Sequence, residues 1–316
     1  MDQSRKLWQA AETVIYECLA VKKGERVAVI TDLPCRKIGW ALWQVLKDYN
    51  EAILVEMNPR EIHGMEPPAL VTEILMKSDV FVIPTSRSLT HTKARINACK
   101  AGARGATMPG ITTDMMTRTL NADYRRIARL TDRVTRRLSA ARKVRITTEL
   151  GTDLELEIAG RKADPDTGIV TRPGAFSNLP AGESYVAPIE NRSQGRIVVD
   201  GSFAPVGRLR QPVIIDLRDG MITRITGNKE LAAIFRKYGS HERTLGELGL
   251  GTNYQAVITG NVLEDEKVMG TIHVAFGNNL GFGGKNKADI HLDGIVKQPN
   301  VWFDDQLIIK KGRLRF

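Results

Sequence analysis

The sequence predicts an α/β N-terminal domain with a doubly wound parallel sheet, followed by a β-rich α+β C-terminal domain. Over residues 1-142, short apolar runs alternate with segments of helical periodicity, which is typical of parallel strands connected by helices. Over residues 143-316, polar and apolar residues alternate between turn signals, which is typical of antiparallel strands. We therefore assign 1-142 to an α/β Rossmann-like domain and 143-316 to a β-rich domain.

The N-terminal half begins with an amphipathic helix and continues as alternating strands and helices. The helices are predicted over residues 4–20, 36–48, 67–77 and 91–101, and the strands over 26–31, 52–57, 79–84 and 104–108. Ligands of such sheets bind beyond the carboxyl ends of the strands. Thr90 and His91 follow the third strand, so they are candidate substrate-binding residues. Helix capping would equally explain the hydroxyl group of Thr90.

The C-terminal half follows the two-residue period of antiparallel strands. Its strands are predicted over residues 144–146, 154–158, 195–201, 212–217 and 221–226, with a helix over 229–238. Two further apolar strands follow, and each contains a histidine. The histidines place the candidate site in this half of the chain.

The composition favours a water-soluble globular protein over a membrane or nucleic-acid-binding protein. No apolar run approaches the roughly 20 residues that span a bilayer, so we expect a cytoplasmic protein without a membrane partner. The net charge of +10 is concentrated between Arg118 and Arg145, on a segment with the apolar stripe of an amphipathic helix. No aromatic stacking platform accompanies this charge. We expect a solvated or subunit-facing helix; a basic nucleic-acid-associated protein with a relict site is the non-enzymatic alternative.

The residues 270–296 indicate a metal site. Alternate residues of a strand point to the same side, so His291 and Asp293 share one face, and a hairpin would bring His273 alongside them. Two imidazoles and a carboxylate suit iron, zinc, manganese or cobalt. A hydrogen-bonded core role for each histidine is the alternative, although burying an unpartnered imidazole is costly.

Two carboxylates decide which kind of centre this is. Glu183 and Glu247 each lie beside glycines and precede the histidine strands. Five such side chains could hold two divalent cations that activate a water molecule. Three of them, two histidines and one carboxylate, would instead form the face typical of non-haem iron(II). The residues themselves leave both possibilities open.

Four motifs together resemble the thermophilic metallo-aminopeptidase family of the aminopeptidase T type. They are N-L-P-A-G-E at 178–183, E-L-G-L-G-T-N at 247–253, G-T-I-H at 270–273 and I-H-L-D at 290–293. The resemblance implies a cytoplasmic homo-oligomer, taken as a dimer, that releases N-terminal amino acids from peptides. It implies two zinc, cobalt or manganese ions per chain, with Glu183 and Glu247 also in catalytic roles and with these ligands: Glu183, Glu247, His273, His291 and Asp293.

The motif set departs from that family at one position. Leu280 lies where the family has a tyrosine, and Asn278 and Asn279 just before it are candidate substrate-binding residues. The same scaffold resembles 2,5-dihydroxypyridine dioxygenase, a ring-opening enzyme with one iron(II). We therefore expect a metallo-aminopeptidase, with a mononuclear iron(II) dioxygenase acting on hydroxylated aromatics as the alternative. In that alternative the iron ligands are His273, His291 and Asp293.

Overall fold

The computed structural model describes residues 2–315, which fold as two compact units. The first unit contains the chain up to Ala128 together with Thr167–Ala181. The second contains Arg129–Asp166 and the chain from Gly182 onward. A functional division between residues 1-142 and 143-316 stays a prediction.

Most helices belong to the first half of the chain and most strands to the second. The helices are α1 (Gln3–Glu12), which continues as a π-helix over Thr13–Cys18, α2 (Arg36–Leu46), α3 (Ala69–Lys77), α4 (Lys93–Lys100), α5 (Thr113–Thr119), α6 (Tyr124–Ala140), α7 (Lys229–Arg236) and α8 (Val262–Asp265). The strands are β1 (Arg26–Asp32), β2 (Glu51–Met57), β3 (Val80–Thr85), β4 (Arg104–Pro109), β5 (Lys143–Thr147), β6 (Asp153–Glu157), β7 (Asp164–Asp166), β8 (Phe176–Asn178), β9 (Glu183–Val186), β10 (Gln194–Val199), β11 (Ser202–Phe203), β12 (Gly207–Arg208), β13 (Val213–Arg218), β14 (Met221–Thr226), β15 (Leu245–Gly251), β16 (Ile272–Gly277), β17 (His291–Val296), β18 (Asn300–Phe303), β19 (Gln306–Lys310) and β20 (Arg313–Leu314).

The first unit is built on a parallel sheet with the strand order β2-β1-β3-β4-β8. All four strand pairs of this sheet are parallel. The side chains of Ala28, Ile30, Phe81 and Ile83 are fully buried, because helices cover the sheet and leave little of it exposed to water. The predicted α/β N-terminal domain with a doubly wound parallel sheet is therefore confirmed.

The second unit contains two antiparallel sheets that share one core. The eight-stranded sheet has the order β14-β13-β10-β6-β5-β18-β19-β20, and the seven-stranded sheet has the order β12-β11-β17-β16-β15-β9-β7. Buried side chains of both sheets, including Ile146, Leu154, Leu248 and Val274, form one apolar cluster. The β-rich C-terminal half is confirmed as well. Among residues 2–315, no helix has the length and apolar character needed to cross a bilayer.

Candidate metal centre

Four neighbouring strands of the seven-stranded sheet present polar side chains on the face that points away from the core. On β15 and β16 the core face carries Leu248, Leu250, Ile272, Val274 and Phe276. Because side chains alternate along a strand, the opposite face carries the residues between them. Together with β9 and β17, this face presents Glu183, Tyr185, Glu247, Gly249, His273, Ala275, His291 and Asp293.

The register of these strands makes the functional groups converge. Ala275 on β16 pairs with Glu247 on one side and with Asp293 on the other. The small side chain of Ala275 leaves room for the two carboxylates to approach each other. Gly249 lies opposite His273, and a Cβ atom at position 249 would lie 2.1 Å from Nε2 of the imidazole. Small residues on this face therefore make the space that the ring occupies.

The five predicted ligand residues meet around the two imidazoles. Nε2 of His273 lies 3.2 Å from Oε1 of Glu247 and 3.2 Å from Oε2 of Glu183. Nε2 of His291 lies 3.3 Å from Oε2 of Glu247 and 3.6 Å from Oδ1 of Asp293. Glu247 thus lies between the two histidines, with one carboxylate oxygen near each. The structure brings together all five residues that the sequence singled out.

The imidazole of His291 is held in one orientation by the backbone. Its Nδ1 lies 2.8 Å from the carbonyl oxygen of Asn278. A carbonyl oxygen can only accept a hydrogen bond, so Nδ1 carries the proton and donates it. In the neutral ring, Nε2 then has a lone pair that points at the carboxylates of Glu247 and Asp293. This arrangement is the one by which metal-binding histidines are usually oriented.

The donor set of this centre fits a divalent cation. Donor atoms of Glu247, His273 and Asp293 lie within 4.8 Å of one another, and all three residues are buried. Among residues 2–315, neither Oε2 of Glu183 nor Oδ1 of Asp293 has a hydrogen-bond partner, although both atoms are buried. Buried carboxylate oxygens without a donor are costly. A cation placed among them would remove this cost.

The electrostatics of the centre favour positive charge. Burial alone would lower the pKa of His273, but the carboxylates of Glu183 and Glu247 raise it to about 9. Burial opposes ionisation of Glu247, yet hydrogen bonds with His273 and His291 hold the pKa of this carboxyl below its usual range. Among these residues, the positive charge of protonated imidazole rings would balance the negative charge of the carboxylates. A divalent metal ion could supply the same charge.

A buried lysine lies beside the centre and was missed by the sequence reasoning. The side chain of Lys267 is 1% exposed, and its Nζ lies 2.5 Å from both Oε1 of Glu183 and Oε1 of Glu266. Oδ2 of Asp166 is 3.7 Å away. Burial would lower the pKa of Lys267, but these carboxylates raise it well above its ordinary value. Position 267 belongs to no apolar period, so its burial could not be read from the sequence.

The glycine-rich loop between β16 and β17 places an aromatic ring beside His291. The Phe282 ring meets the His291 ring edge-on at 6.0 Å between centroids and meets the Tyr185 ring at 5.4 Å. Glu190 anchors the loop, because its Oε1 accepts hydrogen bonds from Nδ2 of Asn279 and from the backbone N–H of Lys285. Sequence reasoning missed Tyr185, although it lies two positions after Glu183 on the same face of β9.

The remaining predicted residues have identifiable contacts. Asn278 contributes its backbone carbonyl to His291, whereas the buried side chain of Asn279 is held by Glu190 and by the backbone of Asn286. In the first unit, Oγ1 of Thr90 is hydrogen-bonded to Thr107 and Asn178, and His91 is exposed. Substrate binding by Thr90, His91, Asn278 and Asn279 stays a prediction.

Comparisons with known proteins point to one enzyme family. The family model described as 2,5-dihydroxypyridine 5,6-dioxygenase (NicX) matches residues 6–316. A curated protein of that name from Pseudomonas putida strain KT2440 is 24% identical over 191 residues. The aligned part is 55% of this chain, and the chain spans only about half the length of that relative (55%).

Two solved structures share the fold over nearly their whole length. The 2,5-dihydroxypyridine dioxygenase from Pseudomonas putida KT2440 superposes with a TM-score of 0.83 at 19% identity, covering 100% of this chain and 98% of that one. Wild-type AmpT from Thermus thermophilus superposes with a TM-score of 0.71 at 17% identity, covering 98% of this chain and 99% of that one. At these identities the superpositions establish the fold alone.

The family match overturns the aminopeptidase prediction. The predictions of a hydrolase, an aminopeptidase and a metalloprotease are wrong, and the dioxygenase alternative agrees better with the matched family and the named relative. The aminopeptidase scaffold is still present as a fold. The sequence departs from the aminopeptidase resemblance at position 280, where that resemblance leads one to expect a tyrosine. Leu280 is half exposed and has no polar group to offer a substrate.

Proposed function

Since the chain belongs to the 2,5-dihydroxypyridine 5,6-dioxygenase family, we propose that it is a mononuclear non-haem iron(II) enzyme that opens the ring of a hydroxylated pyridine. The chain is an enzyme of a dioxygenase family, and its acidic and histidine groups could bind a metal. The substrate class is supported by the name of the Pseudomonas putida relative. A small-molecule substrate, a homo-oligomeric state and a cytoplasmic location stay predictions.

The main support for the proposal is that two imidazoles and several buried carboxylates lie close together. We assign His273, His291 and Asp293 as the iron ligands, because two histidines and one carboxylate are the set typical of iron(II) oxygenases. The hydrogen bond from Nδ1 of His291 to Asn278 leaves Nε2 for the metal. Glu247 lies within 3.3 Å of both Nε2 atoms and is the fourth donor available at the centre.

Iron(II) bound here would supply the one-electron chemistry that lets molecular oxygen react with an aromatic ring. The chain's own groups would position the ring and move protons. A dihydroxypyridine becomes more electron-rich, and so more reactive toward oxygen, when it loses a hydroxyl proton. Glu183 and Glu247 are the carboxylates nearest to the histidines and would accept that proton. Burial raises the pKa of Glu183 above its usual value, which makes this carboxylate a better proton acceptor.

Two aromatic side chains border the centre on the loop side. Phe282 and Tyr185 meet edge to face, and Phe282 also contacts the His291 ring. Aromatic surfaces of this kind pack against planar rings and exclude water from them. We therefore assign Phe282 and Tyr185 to the binding of the substrate ring.

The test is oxygen consumption by protein loaded with iron(II) under anaerobic conditions and then mixed with 2,5-dihydroxypyridine in air-saturated buffer. We expect stoichiometric oxygen uptake together with loss of the aromatic absorbance. His291→Ala and Asp293→Ala should abolish both signals, whereas the exposed positions His63→Ala and Asp305→Asn should leave them unchanged. Iron-loaded protein that consumes no oxygen with any dihydroxylated pyridine would overturn the proposal.

A further inference from the structure

We infer that the ammonium group of Lys267 occupies the second cation position of this centre, so that each chain holds one divalent metal ion. The inference deepens the proposed function, because it explains why a scaffold with five ligand-type residues would work with one metal. It concerns residues that are positioned beside the proposed iron site and not the iron ligands themselves.

The structure contains two overlapping groups of potential ligands. One group is Glu247, His273 and Asp293, and the other is Glu183, Glu266 and His273. The two groups share His273, although the lone pair of one imidazole nitrogen can bind only one ion. Bridged two-metal sites place their ions about 3.5–4 Å apart. Five acidic and imidazole side chains arranged in this way could accommodate two ions.

The second group already has a cation beside it, the ammonium group of the lysine. Nζ of Lys267 lies 2.5 Å from Glu183 and 2.5 Å from Glu266, the two carboxylates of that group. A metal ion bound by the same two carboxylates would lie roughly 2.0–2.2 Å from their oxygens, and so very close to Nζ. The ammonium and such an ion would carry like charges and would repel each other strongly at this separation.

The side chain of Lys267 is enclosed by the protein. Its side chain is 1% exposed, and its backbone N–H is bonded to the carbonyl of Glu264. Its carbonyl accepts a hydrogen bond from the backbone N–H of Asn253. A Cβ atom at Gly251 would lie 2.1 Å from the carbonyl oxygen of Val268, so β15 packs tightly against this segment. The backbone of this segment is thus fixed, and the ammonium lies among the carboxylates away from solvent.

The group of Glu247, His273 and Asp293, by contrast, has no lysine ammonium beside it among the described residues. Oδ1 of Asp293 lacks a hydrogen-bond partner among the described residues. In the same part of the chain, the side-chain partners of Glu247 are the imidazole nitrogens of His273 and His291. The single metal would therefore be held by the His273, His291 and Asp293 side of the centre. The Lys267 side would hold Glu183 in place.

The experiment counts bound metal and does not depend on ring cleavage. Chelator-treated protein is equilibrated with Co²⁺ by dialysis, and cobalt per chain is measured by elemental analysis. We expect one ion in the wild type, in Lys267→Arg, which keeps the charge, and in Lys297→Met, which alters an exposed lysine. We expect about two ions in Lys267→Met, which keeps the length of the side chain without its charge.

Two results would overturn the inference. One is a folded Lys267→Met protein that still binds a single ion at millimolar Co²⁺. The other is a wild-type protein that binds two ions tightly, and this result decides the matter even if Lys267→Met does not fold. Failure of the dioxygenase assay with one cobalt per wild-type chain and two per Lys267→Met chain would count against the proposed function alone.

Discussion

Gly249 lies directly opposite His273 in the ladder between β15 and β16, and a methyl group on Gly249 would overlap the imidazole ring. The Cβ atom would lie 2.1 Å from both Cε1 and Nε2 of His273. The backbone at this position has no left-handed geometry that would itself require glycine. The absence of a side chain is therefore needed by the ring and not by the strand.

We expect Gly249→Ala to displace His273 and to weaken metal binding by about 10- to 100-fold, the range typical for disturbed support of a metal ligand. The measurement is titration of metal-free protein with Co²⁺, followed by absorbance. Gly281→Ala is the matched control, because nothing lies within 4 Å of its added Cβ atom. Unchanged cobalt affinity in Gly249→Ala would show that His273 is not a ligand.

Removal of Glu190 tests whether the loop that carries Phe282 must be held rigid. Its carboxylate accepts bonds from Asn279 and Lys285 and forms an ion pair with Arg161. We expect Glu190→Ala to raise KM for the substrate by about 10-fold, the equivalent of one charged hydrogen bond, with a smaller change in kcat. Steady-state oxygen uptake measures both constants.

The control for this change is Glu155→Ala, which removes an exposed carboxylate. Limited trypsin digestion gives a second readout, since a released loop would be cleaved faster after Lys285 or Lys287. An unchanged KM combined with an unchanged cleavage rate would contradict a positioning role for Glu190.

Metal removal should lower the thermal stability of the protein. Without a cation, buried oxygens of Glu183 and Asp293 lack partners among the described residues. A ligand at 100 times its Kd stabilises a folded protein by about 2.7 kcal/mol, which corresponds to a rise in Tm of roughly 4 °C for a chain of this size. Thermal denaturation with Mn²⁺ and with chelator measures the shift. Asp293→Ala should lose the shift, and Asp305→Asn should keep it.

Much of the fold could be predicted because it follows from periodicity. The predicted strands at 26–31, 52–57, 79–84 and 104–108 agree with β1 to β4 within about two residues at each end. The strand β8 was not predicted, because its three residues Phe176–Asn178 are too few to show a period. It also pairs with β4 although more than sixty residues separate the two strands in the chain. The pattern of neighbouring residues cannot reveal such a pairing.

The metal centre was predictable only where its residues repeat along a strand. His291 and Asp293 lie on one face of β17, and β16 pairs with β17 as the expected hairpin. Lys267 reaches Glu183 across 84 positions, so no spacing rule could connect them. The motifs that carried the resemblance contain ligand-type residues that either a one-metal or a two-metal enzyme could use. They therefore could not distinguish the two families.

The first unit contains an ion pair whose removal should be costly. Arg104, with an 8% exposed side chain, donates to both carboxylate oxygens of Glu25 and to the backbone carbonyls of Leu19 and Ala20. Breaking a buried pair leaves one charge uncompensated. Because Glu25 is about one-fifth exposed, we expect Arg104→Met to lower the free energy of unfolding by about 3 kcal/mol. Arg145→Met, which breaks an exposed pair with Asp153, should cost less than about 1 kcal/mol.

The contribution of this pair should depend on pH in a defined direction. Hydrogen bonds from Arg104 lower the pKa of Glu25 below its usual value. The stabilisation is therefore complete above the pKa of the unfolded chain, near about 4.3, and is lost as the pH falls through the lower pKa of the folded state. Urea unfolding from pH 7 to pH 3 should show the difference between wild type and Arg104→Met shrinking below about pH 4.3. A difference that stays constant down to pH 3 would mean that packing of the Arg104 side chain, and not the charge pair, provides the stability.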